Sequence, residues 1–172
     1  MNPPSDVERA KRLLPNMPEE LFRLYMEPMV LEHGWPFYSV NSHTPRLWLQ
    51  QFDCHDFKFI SELRWQRTEI PFSLGRFHRL SQQQIFGLRD VHMLGVQSIY
   101  ATIPGTKDRF RNAREYIAGK GRMPIPVVLM QDVKTPQIGQ LRILDGNHRL
   151  AAMASFSNAT DGIVDCWIGS PP

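Results

Sequence analysis

Five consecutive residues, Asp145, Gly146, Asn147, His148 and Arg149, stand between an apolar run, Leu141-Arg142-Ile143-Leu144, and an alanine-rich run beginning at Leu150. The first run has the length and character of a buried strand, and the second, through Phe156, that of a helix. A strand that enters a helix through so short a turn commits the chain to an α/β or α+β fold with the turn at one end of a sheet. The residue types in the turn suit anions. Gly146 permits a tight turn and close approach of a ligand. The first helical turn offers unpaired N–H groups and the positive end of the helix dipole, where a phosphate is bound favourably. Arg149 supplies a planar, multi-donor cation. His148 can donate a hydrogen bond or move a proton near neutral pH. Asp145 and Asn147 are hard oxygen ligands of the kind Mg²⁺ takes. The competing reading is a plain connection in which Asp145 or Asn147 caps the helix.

The surrounding pattern supports one small α/β core with an extension. The 172 residues fit one domain, or one domain with a substantial addition, and 42% hydrophobic with 22% charged residues is ordinary for a globular chain. Ser5 and Glu8 form a capping box ahead of a helix from about Asp6 to Leu14. A second helix spans Glu19 to about Leu31, and Pro28 should kink or end it. Residues 33–79 are irregular and rich in aromatics: Trp35, Phe37, Tyr38, Trp48, Phe52, Phe57, Phe59, Trp65, Phe72 and Phe77. Such rings can stack on nucleobases, but packing the extension onto the core is the plainer role. Ser81 is placed to cap a helix over Gln82 to Leu94, closed by Gly95.

A boundary is expected near Val96, dividing a mostly helical, aromatic-rich part, 1–95, from the core, 96–172. The core should comprise a strand at Ser98–Ile103, a helix at Lys107–Ala118, a strand at Ile125–Met130, a polar hairpin connection at Asp132–Gly139, the strand and helix flanking Asp145, and a last strand at Ile163–Ile168. Cys54 and Cys166 show no zinc spacing, and buried thiols are preferred over a disulfide. No secretory leader and no run of roughly 18 apolar residues is present, which points to the cytoplasm. A net charge of +3 and a pI near 9.1 permit a polyanionic partner without requiring one.

The run Pro124-Ile-Pro-Val-Val-Leu, a hairpin, and then Ile143-Leu-Asp-Gly-Asn-His-Arg-Leu-Ala-Ala resembles the ParB/sulfiredoxin superfamily over roughly Ile99 to Ile168. The resemblance implies a small mixed sheet whose turn binds the phosphates of a nucleotide, often with Mg²⁺. Gly146, His148 and Arg149 would then hold phosphate, with Asn147 beside them and Asp145 and Asn147 as metal ligands. Another cationic group is expected from the preceding helix, where Lys107, Arg109, Arg111 and Arg114 are the candidates. Helical projection puts Lys107, Arg111 and Arg114 on one face, which is otherwise a solvated basic face.

Departures narrow the resemblance. Sulfiredoxin chemistry needs a cysteine immediately before the His-Arg pair, where this chain has Asn147. Partitioning proteins carry a helix-turn-helix domain after this fold, which the sequence to Pro172 does not show. Free-serine kinases have a similar Asp-Gly-His-His-Arg run and an upstream glutamate base, for which Glu69 and Glu115 are open candidates. The small basic core is similar in architecture to plasmid-encoded fertility-inhibition proteins.

Three functions follow as expectations. The first is a Mg²⁺-dependent hydrolase of ATP or another nucleotide, extending to DNA phosphodiesters, with Asp145, His148 and Arg149 as catalytic groups. The second is a small-molecule kinase. The third is a non-catalytic adaptor binding nucleotide, DNA or a protein partner, the last through the N-terminal part.

Overall fold

A computed structural model describes residues 5–33, 57–102, 104–131, 141–156 and 162–172, with residues 33 and 57–59 described for their backbone alone. The chain divides into two compact units, residues 67–168 and the remainder, 1–66 with 169–172. Cys54, the hairpin connection at Asp132–Gly139, and Trp35, Phe37, Tyr38, Trp48 and Phe52 lie outside the described residues.

In the first unit, helix α1 (Asp6–Leu13) opens on the expected capping box. The Ser5 N–H donates to Glu8 Oε2 at 2.8 Å, and Ser5 Oγ accepts from the Glu8 N–H at 3.3 Å. The chain is then helical from Glu19 to His33, as α2 (Glu19–Leu21), a π-helical turn (Phe22–Met26) and α3 (Glu27–His33). The helix does not end at Pro28, one of the two outcomes, a kink or an end, that its sequence suggests. The Glu27 N–H reaches back to the Phe22 carbonyl, so the wider π turn takes up the irregularity just before a residue with no N–H to give. Leu21, Phe22, Met26 and Val30 are buried. Helix α4 (Phe57–Glu62) follows, and the Asn16 amide donates to the Ser61 carbonyl at 3.1 Å.

The second unit has the expected α+β class. Strands β1 (Arg64–Pro71), β2 (Val127–Gln131), β3 (Leu141–Asp145) and β4 (Ile163–Ser170) form a four-stranded mixed sheet in the order β1-β4-β2-β3, with residues 64–66 and 169–170 counted in the first unit. Helices α5 (Arg79–Leu94) and α6 (Thr106–Lys120) both pack against the short α7 (Asn147–Met153). One apolar core joins Phe77, Ile85, Phe110, Leu129, Leu150 and Val164. Ala151 and Ala152 are fully buried in it, consistent with small side chains allowing close approach of α7. Strands β2 and β3 are antiparallel, with Leu129 opposite Ile143 and Val128 opposite Asp145. The register shifts between those two pairs, leaving Leu144 as the extra residue of a bulge one step before the turn.

Three local expectations change. The strand expected at Ser98–Ile103 is absent from its described residues, 98–102. The described part holds a 3₁₀ turn, Ile99–Thr102, in which the Thr102 hydroxyl donates to the Ile99 carbonyl and the Tyr100 N–H donates to the Ser98 hydroxyl. These local side-chain bonds compete with a sheet ladder. The Tyr100 ring also lies over Gly87 of α5, where a Cβ would come within 2.6 Å of the ring. The fourth strand is β1 instead, from the stretch expected to be irregular.

Ser81 is not the helix cap either. The helix begins at Arg79, and His78 Nδ1 accepts from the Leu80 N–H. Ser81 is buried, and its hydroxyl accepts the Ile143 N–H of β3 at 3.1 Å. Val96, the expected boundary, lies inside the second unit, in the link after α5.

Ser81→Ala should leave the buried Ile143 N–H without a partner and cost about 1–3 kcal/mol. Urea unfolding of the two proteins measures this. An unchanged midpoint would mean that water takes over the bond.

Candidate functional site

The turn after β3 is built by geometry that only glycine meets. Gly146 has φ +103°, and a Cβ there would stand 2.5 Å from Val127 Cγ1 and 3.2 Å from Arg149 Nη2. The close approach that excludes a side chain is therefore made by the protein's own strand β2. Gly146 is also the cap residue of α7, and no side chain caps that helix. Neither Asp145 nor Asn147 has the capping role that would explain the turn as a plain connection.

Arg149 is nine-tenths buried and joins three pieces of backbone and turn. Its Nη1 donates to the carbonyls of Ile125 at 3.1 Å and Pro126 at 2.8 Å, just before β2 begins. Its Nη2 donates to Asp145 Oδ2 at 2.6 Å. The guanidinium thus ties the entry of β2 to the exit of β3 from the first turn of α7. The far end of α7 is held by a second arginine. Arg114 Nε donates to Ser155 Oγ at 3.1 Å, and its guanidinium lies 5.2 Å from the Phe156 ring centre.

Beside this turn is a cavity of about 530 Å³, lined by Asp145, Gly146, His148 and Arg149, by Arg109, Asn112, Ala113 and Tyr116 of α6, and by Pro124 and Ile125. The volume lies within the range of small-molecule sites. Four of the five turn residues therefore come together on one wall. Asn147 does not line the cavity, and its Oδ1 is buried with no hydrogen-bond partner. Lys107, Arg111 and Arg114 do not line it either. Arg111 pairs with Asp108 at 2.8 Å, and Arg114 is engaged with Ser155 and Phe156.

The face of α6 at the cavity is Arg109, Asn112, Ala113 and Tyr116, spaced i, i+3, i+4 and i+7. Sequence reasoning named Arg109 without preferring it and did not include Asn112 or Tyr116. The i, i+3, i+4, i+7 spacing from Arg109 was the signal available. Arg109 also donates from Nη2 to the Pro104 carbonyl at 3.0 Å, which steadies its side chain while leaving other donors.

His148 sits in the cavity wall with Nε2 buried and unpartnered. Burial, followed by the nearby positive charge of Arg109 and the neighbouring His92, pushes its pKa from 6.5 down to about 4, against a smaller opposing pull from Asp145. His92, on α5, packs its ring 4.9 Å from Phe110, and its own Nε2 is buried and unpartnered. Burial and then Lys107 lower its pKa. Both imidazoles are neutral at pH 7.

Asp145 and Asn147, expected as Mg²⁺ ligands, do not line the cavity together. Asp145 spends Oδ2 on Arg149, and Asn147 stands outside the cavity lining. No group of three His, Cys, Asp or Glu side chains among the described residues could hold a metal. Asp145 Oδ1 is left as the carboxylate oxygen available at this cavity. Of the two open candidates for a base, neither Glu69 nor Glu115 lines it.

Two outcomes test this geometry. Arg149→Met should strip two backbone carbonyls of a buried donor and cost about 1–3 kcal/mol for each group left unsatisfied. Thermal unfolding with no ligand present reads that loss, and an unshifted midpoint would remove the clamp. The depressed pKa of His148 has a defined sign. Between about 4 and 6.5 the unfolded chain binds a proton there that the native state does not, so native stability falls as pH drops through that window. His148→Gln should flatten the dependence of the urea midpoint on pH between those values, leaving the smaller same-sign contribution of His92.

No family model, curated protein or solved structure matches this chain.

Proposed function

We propose that the chain binds a nucleotide in the cavity beside Asp145–Arg149, as a ParB/sulfiredoxin-like phosphate site would. The observation that carries this reading is the mixed lining of this one cavity. Arg109, Asn112 and His148 offer a cation, an amide and an imidazole, while Tyr116, Pro124 and Ile125 offer flat or apolar surface. A ligand that carries both phosphates and a base would use both kinds of lining. Arg109 is the leading phosphate ligand in this reading, because Arg149 is held by Asp145 and two carbonyls.

Hydrolysis of ATP or another nucleotide is the reaction that this site would perform. Neutral His148 would take a proton from the attacking water, and Arg109 would stabilise charge on the departing phosphate. A Mg²⁺ arriving on the phosphates would need only Asp145 Oδ1 from the protein. A second reading, binding without turnover, is favoured by the same Asp145–Arg149 pair, since two of the three expected catalytic groups neutralise one another. Of the expected trio Lys107, Arg111 and Arg114, Lys107 would then be the cation left to serve DNA or another polyanion away from the cavity, since Arg111 is paired with Asp108 and Arg114 is held by Ser155 and Phe156.

Isothermal titration with ATP, CTP and ADP, with and without Mg²⁺, tests the binding step. Arg109→Ala should weaken the nucleotide that binds by roughly tenfold or more, the cost of losing one charged hydrogen bond. Equal affinity in the variant, or no binding of any nucleotide, would sink the proposal. Phosphate release by the wild type but not by His148→Ala supports turnover. Binding without release supports the second reading.

A further inference from the structure

The wall formed by Tyr116, Pro124 and Ile125 has two sides. The same three residues also line a second cavity of about 400 Å³, whose remaining walls come from β1, β4 and the segment leading into β2. Its chemistry differs from that of the first. Along β4, Val164 and Cys166 belong to the apolar core, while Ile163 and Asp165 line this cavity, as alternation along a strand requires. Asp165 is held by Arg67 of β1 through two bonds, Nε to Oδ1 at 3.1 Å and Nη2 to Oδ2 at 2.8 Å. That pair cancels its own charge and forms a fixed part of the wall.

Two further charges face the same cavity from different elements. Glu69 comes from β1, and Arg122 comes from the segment after α6. Neither side chain forms an ion pair or a hydrogen bond with another described residue. One unpaired anion and one unpaired cation therefore line a single compartment whose other charges are matched.

We propose that this second cavity binds a small zwitterion, with its anionic group on Arg122 and its ammonium group on Glu69. A polyanion such as a nucleic-acid strand fits poorly, because Glu69 would repel it and the Arg67 guanidinium is already paired with Asp165. A singly charged ligand would satisfy one of the two groups and leave the other facing an uncompensated partner. The inference rests on this cavity alone and does not depend on a nucleotide occupying the first.

The test is an amide-resolved NMR titration of the full chain with glycine, β-alanine, γ-aminobutyrate and ε-aminocaproate, whose charges stand progressively further apart. Acetate and ethylammonium serve as single-charge probes. The expected result is a saturable shift at Glu69 and Arg122–Ile125 for one or two members of the series, weaker by tenfold or more with each single-charge probe. Arg122→Ala and Glu69→Gln should each abolish it. Both residues are exposed, and unchanged thermal unfolding of the variants confirms their fold. No saturable shift with any member would overturn the proposal. So would binding that survives both substitutions, or acetate binding as well as the best zwitterion. Nucleotide titration of the same variants reads the first cavity separately, so its failure and this one are distinguishable.

Discussion

The buried guanidinium of Arg149 is the interaction on which the site depends. A sheet end is a place where strands diverge and backbone carbonyls lose their ladder partners. Here one side chain donates to two such carbonyls, at Ile125 and Pro126, and to the carboxylate at the end of the neighbouring strand. The side chain reaches all three because it starts from the first turn of α7, and that turn lies close to β2 because Gly146 has no Cβ. The bulge at Leu144 carries β3 to Asp145 at the same level. Glycine, bulge and arginine are thus one device, and removing any part loosens the cavity wall that the others shape.

The clamp decides the electrostatics beside it. A free arginine and a free aspartate at a cavity would attract opposite ligands. Paired, they present a nearly neutral floor, and the sign of the site passes to groups outside the turn. Arg109 is the cation of α6 that lines the cavity, and His148 is uncharged because burial and its positive neighbours hold it so. The chemistry of the site is therefore set by α6 as much as by the turn that first drew attention.

How much of this was legible follows from what each residue must satisfy. The turn itself was legible, since glycine between an apolar strand and an alanine-rich helix leaves few alternatives. Strands β2 and β3 and helix α7 were legible as short continuous apolar runs bounded by turn residues, and α6 as a longer helical pattern between glycines. Strand β1 was not. Its sequence, Arg-Trp-Gln-Arg-Thr-Glu-Ile-Pro, buries only Ile70 of its eight side chains, so the apolar alternation that marks a strand is nearly absent. The 3₁₀ turn at Ile99–Thr102 failed in the opposite way. Its β-branched residues suggest a strand, yet local hydroxyl bonds and the seat of Tyr100 on Gly87 hold it otherwise. The role of Ser81 was hidden because a hydroxyl that caps a helix and one that bonds a distant strand look alike in sequence. The inward face of α6, with Phe110, Ala113 and Ile117, was legible, but its cavity-lining cation was not, because Lys107, Arg111 and Arg114 cluster on one face while Arg109 stands on another beside Asn112, Ala113 and Tyr116.

The same logic bears on what the cavity wants. His148 and His92 each keep a buried ring nitrogen with no partner, in a neighbourhood that also contains Arg109 and Lys107. An unpaired buried polar atom costs free energy, so two imidazoles held neutral among cations are a local departure from the consistency seen elsewhere in the unit. In the nucleotide reading proposed above, a phosphate beside Arg109 would screen the cation that, after burial, does most to hold the His148 pKa down, and so would ease uptake by the imidazole of the water proton that hydrolysis requires.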